Sequence, residues 1–169
     1  ASRHSTATCV AATRLADGST LLLCRVEDRR GLSHFCAARS TNGVDGWVID
    51  PQPTLAPDSL HHPEELWGIE DPRITHVAEL GKYFIAYTAF GKGGPGVALC
   101  HTQDFRTFTR CGLVMQPDDK DAALLPRRVR GQFALVHRPA TEHSAHIWIS
   151  YSPDMINWGN HQLMLAARK

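Results

Sequence analysis

Short apolar runs separated by turn residues extend along the whole chain, and three of them begin directly after a glycine. The glycines are Gly18, Gly81 and Gly131, and the runs that follow are rich in aliphatic and aromatic residues, as at 82–87. Runs of this length that are bounded by turns are typical of strands rather than helices. The hydrophobic pattern therefore predicts a chain built mainly from β-strands.

A second signal recurs after each of these runs. A small hydroxyl residue stands 21 or 22 positions after the glycine, and an aromatic residue follows six or seven positions later. The three copies run from Ser40 to Trp47, from Thr102 to Phe108 and from Ser152 to Trp158. Because glycine, apolar run, hydroxyl turn and aromatic residue recur together, we interpret the chain as three copies of one unit.

Each unit has room for four strands. The predicted strands are 9–15, 19–24, 33–38 and 48–49 in the first unit, 73–80, 82–87, 97–101 and 109–115 in the second, and 122–129, 132–137, 146–151 and 162–166 in the third. Four strands at a period near fifty residues are typical of the blades of a β-propeller. An antiparallel sandwich whose strand spacing repeats by accident is the alternative.

The sequence thus predicts an all-β fold with three four-stranded antiparallel blades. We expect one incomplete propeller domain over 1–169, with blades at about 7–60, 70–118 and 120–167. Propellers usually close with about four to eight blades, so a three-bladed wedge has open edges. Missing C-terminal blades or assembly into a homo-oligomer would complete it.

Superposition of the units brings polar residues into equivalent positions. Ten residues before the glycine stand Thr8, Asp71 and Asp121, and seven residues after it stand Arg25, Thr88 and Arg138. The first position precedes the innermost strand and the second ends the next strand. We therefore expect both sets at one mouth of the central channel, in a funnel rich in aspartate and arginine.

Asp71 is the residue of this funnel best suited to donate a proton to a glycosidic oxygen. A carboxyl group with a pKa of about 3.9 is ionised at neutral pH, so a donor needs burial or a neighbouring carboxylate. Glu70 is such a neighbour. The alternative is that Asp71-Pro72-Arg73 forms a turn with a local ion pair.

Basic residues are concentrated in the third unit. They are Lys120, Arg127, Arg128, Arg130 and Arg138. Strand alternation predicts that most of them lie on the surface. Lys120 and Arg138 differ because the repeat places both at the channel mouth, where charge-assisted hydrogen bonds would hold phosphate.

The overall composition argues against several classes of partner. Eighteen Lys and Arg nearly balance 17 Asp and Glu, so no long-range field draws the chain to nucleic acid or to an anionic membrane. No apolar run approaches the roughly 20 residues of a membrane span, and residues 1–4 lack the core of a secretory signal. Five cysteines without CxxC spacing predict reduced, buried thiols in a soluble cytoplasmic protein. The ten histidines show no HxH or HExxH spacing, so we expect surface histidines and no metal site.

Several segments carry a family resemblance. GIEDPRIT at 68–75 matches the signature of glycoside hydrolase family 130. RVEDRRG at 25–31, YTAF at 87–90, KDAALLP at 120–126, VHRP at 136–139 and SYSPD at 150–154 also match, in order along the chain. The chain therefore resembles this family over nearly its whole length.

The resemblance implies a five-bladed β-propeller and an enzyme that cleaves β-mannosides, most members using inorganic phosphate as the attacking group. It implies that Asp71 is the single general acid, acting through a substrate hydroxyl, and that phosphate attacks the anomeric carbon with inversion. The implied phosphate ligands are Lys120 and Arg138. The residues expected to bind the sugar are Arg25, Asp28 and Arg73 by resemblance and Asp121 from the repeat. No cofactor is implied, since phosphate is a co-substrate.

Part of the family's pattern is missing. Family members are much longer, and their later blades carry a further Lys and His for phosphate. An Asn-containing sugar-binding segment is replaced by residues 5–8. Some members with altered phosphate ligands hydrolyse their substrate, so hydrolysis is one alternative. A catalytically inactive propeller fragment that binds carbohydrate or assembles with other chains is the other.

Overall fold

The computed structural model describes residues 6–140 and 145–168, with side chains from residue 10 onward, and contains three four-stranded antiparallel sheets. Blade 1 consists of β1 (Thr6–Arg14), β2 (Thr20–Glu27), β3 (Ser33–Ser40) and β4 (Val48–Ile49). Blade 2 consists of β5 (Ile69–Val77), β6 (Lys82–Gly91), β7 (Gly94–Thr102) and β8 (Thr109–Met115). Blade 3 consists of β9 (Asp119–Leu124), β10 (Phe133–Pro139), β11 (Ile147–Ser152) and β12 (Gly159–Leu165). Strands pair in sequence order in every sheet, which confirms the predicted all-β blade architecture.

Two short 3-10 helices lie between strands of the described residues: Pro63–Glu65 between β4 and β5, and Ala78–Leu80 between β5 and β6. In the part of the chain that the structure describes, no helix has the length and apolar character of a membrane span. Residues 1–5, which include the segment examined for a secretory signal, lie outside the described residues. The side chains of Thr8 and Cys9 lie outside them as well.

Two hydrophobic cores lie between successive blades. The core between blades 1 and 2 includes Leu21, Leu23, Phe35, Tyr83, Ile85 and Tyr87, and the core between blades 2 and 3 includes Phe84, Ala86, Leu99, Leu124, Phe133 and Leu135. Because successive side chains of a strand point to opposite faces, alternate residues of β6 enter the two cores. Blade 2 is therefore covered on both faces, which explains why β6 is a continuous apolar run.

The hydroxyl turn has the same hydrogen bonds in every blade. The N–H of the third residue after the hydroxyl donates to it, from Gly43 to Ser40 over 3.0 Å, from Phe105 to Thr102 over 2.9 Å and from Met155 to Ser152 over 2.9 Å. The side-chain oxygen of Asn42, Asp104 or Asp154 accepts two further backbone N–H groups. This shared turn is typical of repeated units, and it argues against the sandwich with accidental spacing.

The first strands of blades 2 and 3 begin earlier than predicted. β5 begins at Ile69 instead of residue 73, and β9 covers Asp119–Leu124 instead of 122–129. Pro126 lacks the N–H that a ladder needs, so β9 ends before it. The expectation that Asp71 and Asp121 precede the innermost strand is wrong, because both lie within it.

The expectations for cysteines and histidines are only partly right. Cys100 is buried and Cys24 and Cys36 are half-buried, but Cys111 is exposed; all four are free thiols. His137 is 4% exposed, which contradicts the expectation of a surface histidine.

Candidate functional site

A β-bulge in β5 determines where the Asp71 side chain points. The register of β5 against β6 shifts between Glu70 and Arg73, so an extra residue is accommodated around Asp71. The backbone of Asp71 is left-handed, with φ 50°, a conformation that aspartate adopts more readily than most residues. Bulges re-aim side chains and recur near active sites. The alternative of a turn at Asp71-Pro72-Arg73 is wrong, since all three residues belong to β5.

The bulge is repeated in the other blades. The register of β9 against β10 shifts around Asp121, whose φ is 56°, and the register of β1 against β2 shifts around Thr8. These are the positions that the repeat places ten residues before each glycine. The superposition of the units therefore aligned residues that all stand at a register shift, and in blades 2 and 3 these residues also share a left-handed backbone.

Arg25 joins blade 1 to blade 2 through two carboxylates. Its guanidinium donates to Asp71 Oδ1 over 3.1 Å and to Glu70 Oε1 over 2.9 Å, while its Nε donates to Ser33 Oγ over 2.9 Å. The Arg25 side chain is 18% exposed, and those of Asp71 and Glu70 are 28% and 26% exposed. Three directional bonds fix this cation while leaving one side of the carboxylates accessible.

Glu70 is the acid of this cluster whose proton affinity is perturbed. Burial raises the pKa of Glu70; the charge of Arg25 lowers it, the charge of Asp71 raises it and the charge of Lys120 lowers it. Charges from all three blades therefore act on Glu70: Arg25 from blade 1, Asp71 from blade 2 and Lys120 from blade 3.

Lys120 and Arg138 are direct cross-strand partners in blade 3. Like charges at this spacing repel each other, so such a pair favours an anion between or beside them. Asp121 supplies one anion, because Arg138 Nε donates to Asp121 Oδ2 over 2.8 Å and Nη2 contacts the same oxygen. The guanidinium offers the planar geometry that phosphate also accepts.

Asp28 and Arg73 have local contacts. The Asp28 carboxylate closes the turn after β2, accepting the backbone N–H groups of Arg30 and Leu32 and the Arg30 guanidinium over 2.7 Å. Arg73 donates to the carbonyl oxygen of Pro72 over 3.0 Å. The structure thus brings Arg25 to Asp71 and Arg138 to Asp121, whereas it places Asp28 in a turn beyond the end of β2.

Sequence reasoning missed a chain of hydrogen-bonded side chains across blade 3. Asp119 Oδ2 lies 2.6 Å from His137 Nδ1, His137 Nε2 lies 2.7 Å from Ser150 Oγ, and Ser150 Oγ lies 2.6 Å from His161 Nδ1. Each strand of the blade contributes one member. The available signal was a histidine that ends the apolar run at 133–137.

A buried carboxylate in the linker between blades 1 and 2 was also missed. Glu65 is fully buried, and it accepts the Tyr87 hydroxyl over 2.7 Å and Arg110 Nε over 2.9 Å. It fixes the backbone just before the segment that carries Asp71. No local pattern marks it, because its partners come from other parts of the chain.

Comparisons with known proteins place the chain in a family. The family described as β-1,4-mannooligosaccharide phosphorylase matches residues 26–169. A β-1,2-mannobiose phosphorylase of Listeria innocua is 31% identical over 139 residues, which are 81% of this chain and 38% of that protein. A β-1,4-mannooligosaccharide phosphorylase of Ruminococcus albus is 28% identical over 146 residues, which are 82% of this chain and 42% of that protein.

A solved structure shows the same fold. The Listeria innocua β-1,2-mannobiose phosphorylase in complex with β-1,2-mannobiose superposes with a TM-score of 0.84 at 22% identity, covering 97% of this chain and 61% of that chain. This chain spans less than half the length of the two curated relatives. On the strength of the family match over 26–169, the chain belongs to glycoside hydrolase family 130, the mannoside phosphorylases.

Proposed function

We propose that the chain contributes the acid and part of the phosphate site of a β-mannoside phosphorylase. One observation carries the proposal: Arg25 binds both Glu70 and Asp71 at the bulge of blade 2, and the same bulge recurs in blade 3 beside the paired Lys120 and Arg138. A proton donor and a cationic anion site therefore stand at corresponding positions of neighbouring blades. Phosphorolysis of a glycoside requires both.

Asp71 is the proposed general acid. It donates its proton toward the leaving oxygen through a hydroxyl of the substrate, and the carboxylate that remains is stabilised by the Arg25 guanidinium already bonded to it. Such a preorganised cation stabilises the charge that develops during proton transfer.

Lys120 and Arg138 are the proposed phosphate ligands. Phosphate would take over part of the charge neutralisation that Asp121 provides to Arg138. Held there, it would attack the anomeric carbon from the face opposite the acid, with inversion. Because phosphate is itself the nucleophile, no second carboxylate is needed to activate a water. Arg25, Asp28, Arg73 and Asp121 are the proposed residues for sugar binding.

The test is the release of mannose 1-phosphate from β-1,2- and β-1,4-mannobiose by the protein as it occurs, with inorganic phosphate. Asp71→Asn should lower kcat by about 10²- to 10⁴-fold, the usual contribution of general acid catalysis. Asp45→Asn is the matched control, since Asp45 is exposed in the β3–β4 turn at the other end of blade 1. Its rate should equal that of the wild type.

The products separate the remaining possibilities. Release of free mannose in the absence of phosphate would show that the reaction is hydrolysis and not phosphorolysis. Mannoside binding in calorimetry with neither product would favour an inactive binding module. An Asp71→Asn variant as fast as Asp45→Asn would refute the assignment of the acid.

A further inference from the structure

Asp119 and His137 each stand one residue before a proposed phosphate ligand. Asp119 precedes Lys120 on β9, and His137 precedes Arg138 on β10. Their side chains meet at 2.6 Å. Resting on the proposed function, we propose that Asp119 and His137 form a positioning pair that holds Lys120 and Arg138 in the register that binds phosphate.

The contact spans the bulge in blade 3. Lys120 pairs with Arg138 and Asp119 pairs with Pro139, whereas the next pairing toward the end of β9 is Ala123 with Val136. His137 therefore faces the irregular stretch that contains Asp121, where backbone pairing is interrupted. A side-chain bond at this point replaces the constraint that the interrupted ladder does not supply.

The pair is buried and continues into the blade. The side chains of His137 and Asp119 are 4% and 6% exposed. His137 Nδ1 is hydrogen-bonded to Asp119 Oδ2, and His137 Nε2 is hydrogen-bonded to Ser150 Oγ, which in turn is bonded to His161 Nδ1. Both ring nitrogens of His137 are therefore engaged, which holds the ring between β9 and β11.

The bond between Asp119 and His137 opposes an electrostatic repulsion. Lys120 and Arg138 repel each other across the strands, and without a restraint they would relax apart. Among the described residues Asp119 Oδ1 has no hydrogen-bond partner, so the carboxylate depends on its bond to His137 through Oδ2. Loss of that bond would free the segment that carries Lys120, while the hydrophobic core of the blade would stay in place.

Two substitutions of His137 separate its two bonds. In His137→Asn the amide nitrogen takes about the place of Nδ1, so the bond to Asp119 is kept and the bond to Ser150 is lost. In His137→Gln the amide takes about the place of Nε2, so the bond to Ser150 is kept and the bond to Asp119 is lost. The two variants have similar polarity, and each loses one buried hydrogen bond.

The measurements are the Kd for inorganic phosphate by calorimetry, the KM for phosphate and for mannobiose, and urea unfolding. His137→Gln should weaken phosphate binding by about tenfold or more, as removal of a supporting residue does at other ligand sites, while His137→Asn stays near the wild type. The Kd for phosphate should rise more than the KM for mannobiose, because only one of the proposed sugar-binding residues, Asp121, lies in this segment. If the pair had only a structural role, both variants would lose the same stability, and the Kd for phosphate would not differ between them.

The outcomes distinguish this inference from the proposed function. If the wild type binds phosphate and both variants bind it equally well or equally poorly, the positioning role is overturned and the phosphorylase proposal stands. If the wild type binds no phosphate at millimolar concentration, the proposed phosphate site fails, and the positioning role fails with it. The same conclusion follows if the wild type binds phosphate but Lys120→Met does not weaken that binding.

Discussion

Arg110 neutralises the one fully buried carboxylate of the linker before Asp71, so Arg110→Met tests how that linker is held. Glu65 is 0% exposed and receives two bonds from Arg110, over 2.9 Å and 3.1 Å. It also accepts the Tyr87 hydroxyl over 2.7 Å and the Asp58 N–H over 2.9 Å. Methionine has a similar length but removes the charge and both bonds.

The expected cost follows from leaving a buried charge uncompensated. Removal of one partner of a buried ion pair destabilises a protein by about 3–5 kcal/mol. The Tyr87 hydroxyl and the backbone N–H of Asp58 still donate to Glu65 after the substitution. We therefore expect a loss of stability near the lower end of this range, about 3 kcal/mol. Since whole domains are stable by only about 5–15 kcal/mol, this loss should be large in any unfolding assay.

Urea unfolding followed by tryptophan fluorescence measures the change. Arg30→Met is the matched control, because the Arg30 side chain is 76% exposed in its ion pair with Asp28 and its loss should not be resolved. A second arm is the double variant Glu65→Gln with Arg110→Met, which removes both charges, keeps an acceptor for the Tyr87 hydroxyl and should recover part of the stability. If Arg110→Met unfolds at the same urea concentration as Arg30→Met, the ascribed role of the buried pair is wrong.

Three further predictions concern stability, two measured by the same urea unfolding and one by thermal unfolding at different pH. Gly68→Ala should cost at least about 1–3 kcal/mol from backbone strain, because Gly68 has φ +114° and a Cβ there would lie 2.8 Å from the Ser33 backbone nitrogen. Gly31→Ala, at φ +80° with nothing near its Cβ position, should cost clearly less, and an equal cost would exclude the close approach as the cause. Ser152→Ala should cost about 1–3 kcal/mol, since the buried N–H of Met155 loses its acceptor, and a change near zero would contradict this account of the turn. Backbone N–H groups of Thr107 and Arg106 lower the pKa of Asp104 from 3.8 to about 2, so its contribution is present above the unfolded pKa and lost as pH falls toward about 2. Asp104→Asn should make the fall of Tm between about pH 4 and pH 2 shallower, and an unchanged slope would count against it.

Local signals predicted most of the fold. Strands, turn glycines and hydroxyl turns are encoded by residues close in sequence, so the three units could be superposed without coordinates. The superposition also grouped Asp71 with Arg25, and the structure joins the two by a hydrogen bond although 46 residues separate them. The start of β9 was predicted too late, because Asp119 and Lys120 are charged and do not resemble the start of a strand.

The missed features depend on partners that sequence spacing does not reveal. Glu65 looks like a loop glutamate, and its burial becomes favourable only with donors from other segments, Arg110 of β8, Tyr87 of β6 and the Asp58 N–H. His137 looks like the polar end of a strand until Asp119 and Ser150 enclose it. Burial of a polar group is decided by satisfaction of its hydrogen bonds, and these come from distant segments.

The bulge position carries a different side chain in each blade, or the same side chain with a different partner. In blade 3 the bulge carries Asp121, and Arg138 of the same blade neutralises it. In blade 2 the equivalent of that arginine is Thr88, so the bulged Asp71 has no cation at this position of its own blade. In blade 1 the bulge carries the uncharged Thr8, so Arg25 is not matched by an acid there.

These two threonines explain why the ion pair of Arg25 crosses between blades. Arg25 meets no acid at the bulge of its own blade, and its two shortest ion pairs are with the next blade, to Glu70 at 2.9 Å and to the bulged Asp71 at 3.1 Å. A charge pair within one blade stabilises only that blade. The pair of Arg25 and Asp71 joins two blades, so the position of the Asp71 carboxylate depends on the packing of blade 1 on blade 2. The repeat thus supplies the position, and the exchange of a charged residue for threonine decides whether the position is neutralised within its own blade or by the neighbouring blade.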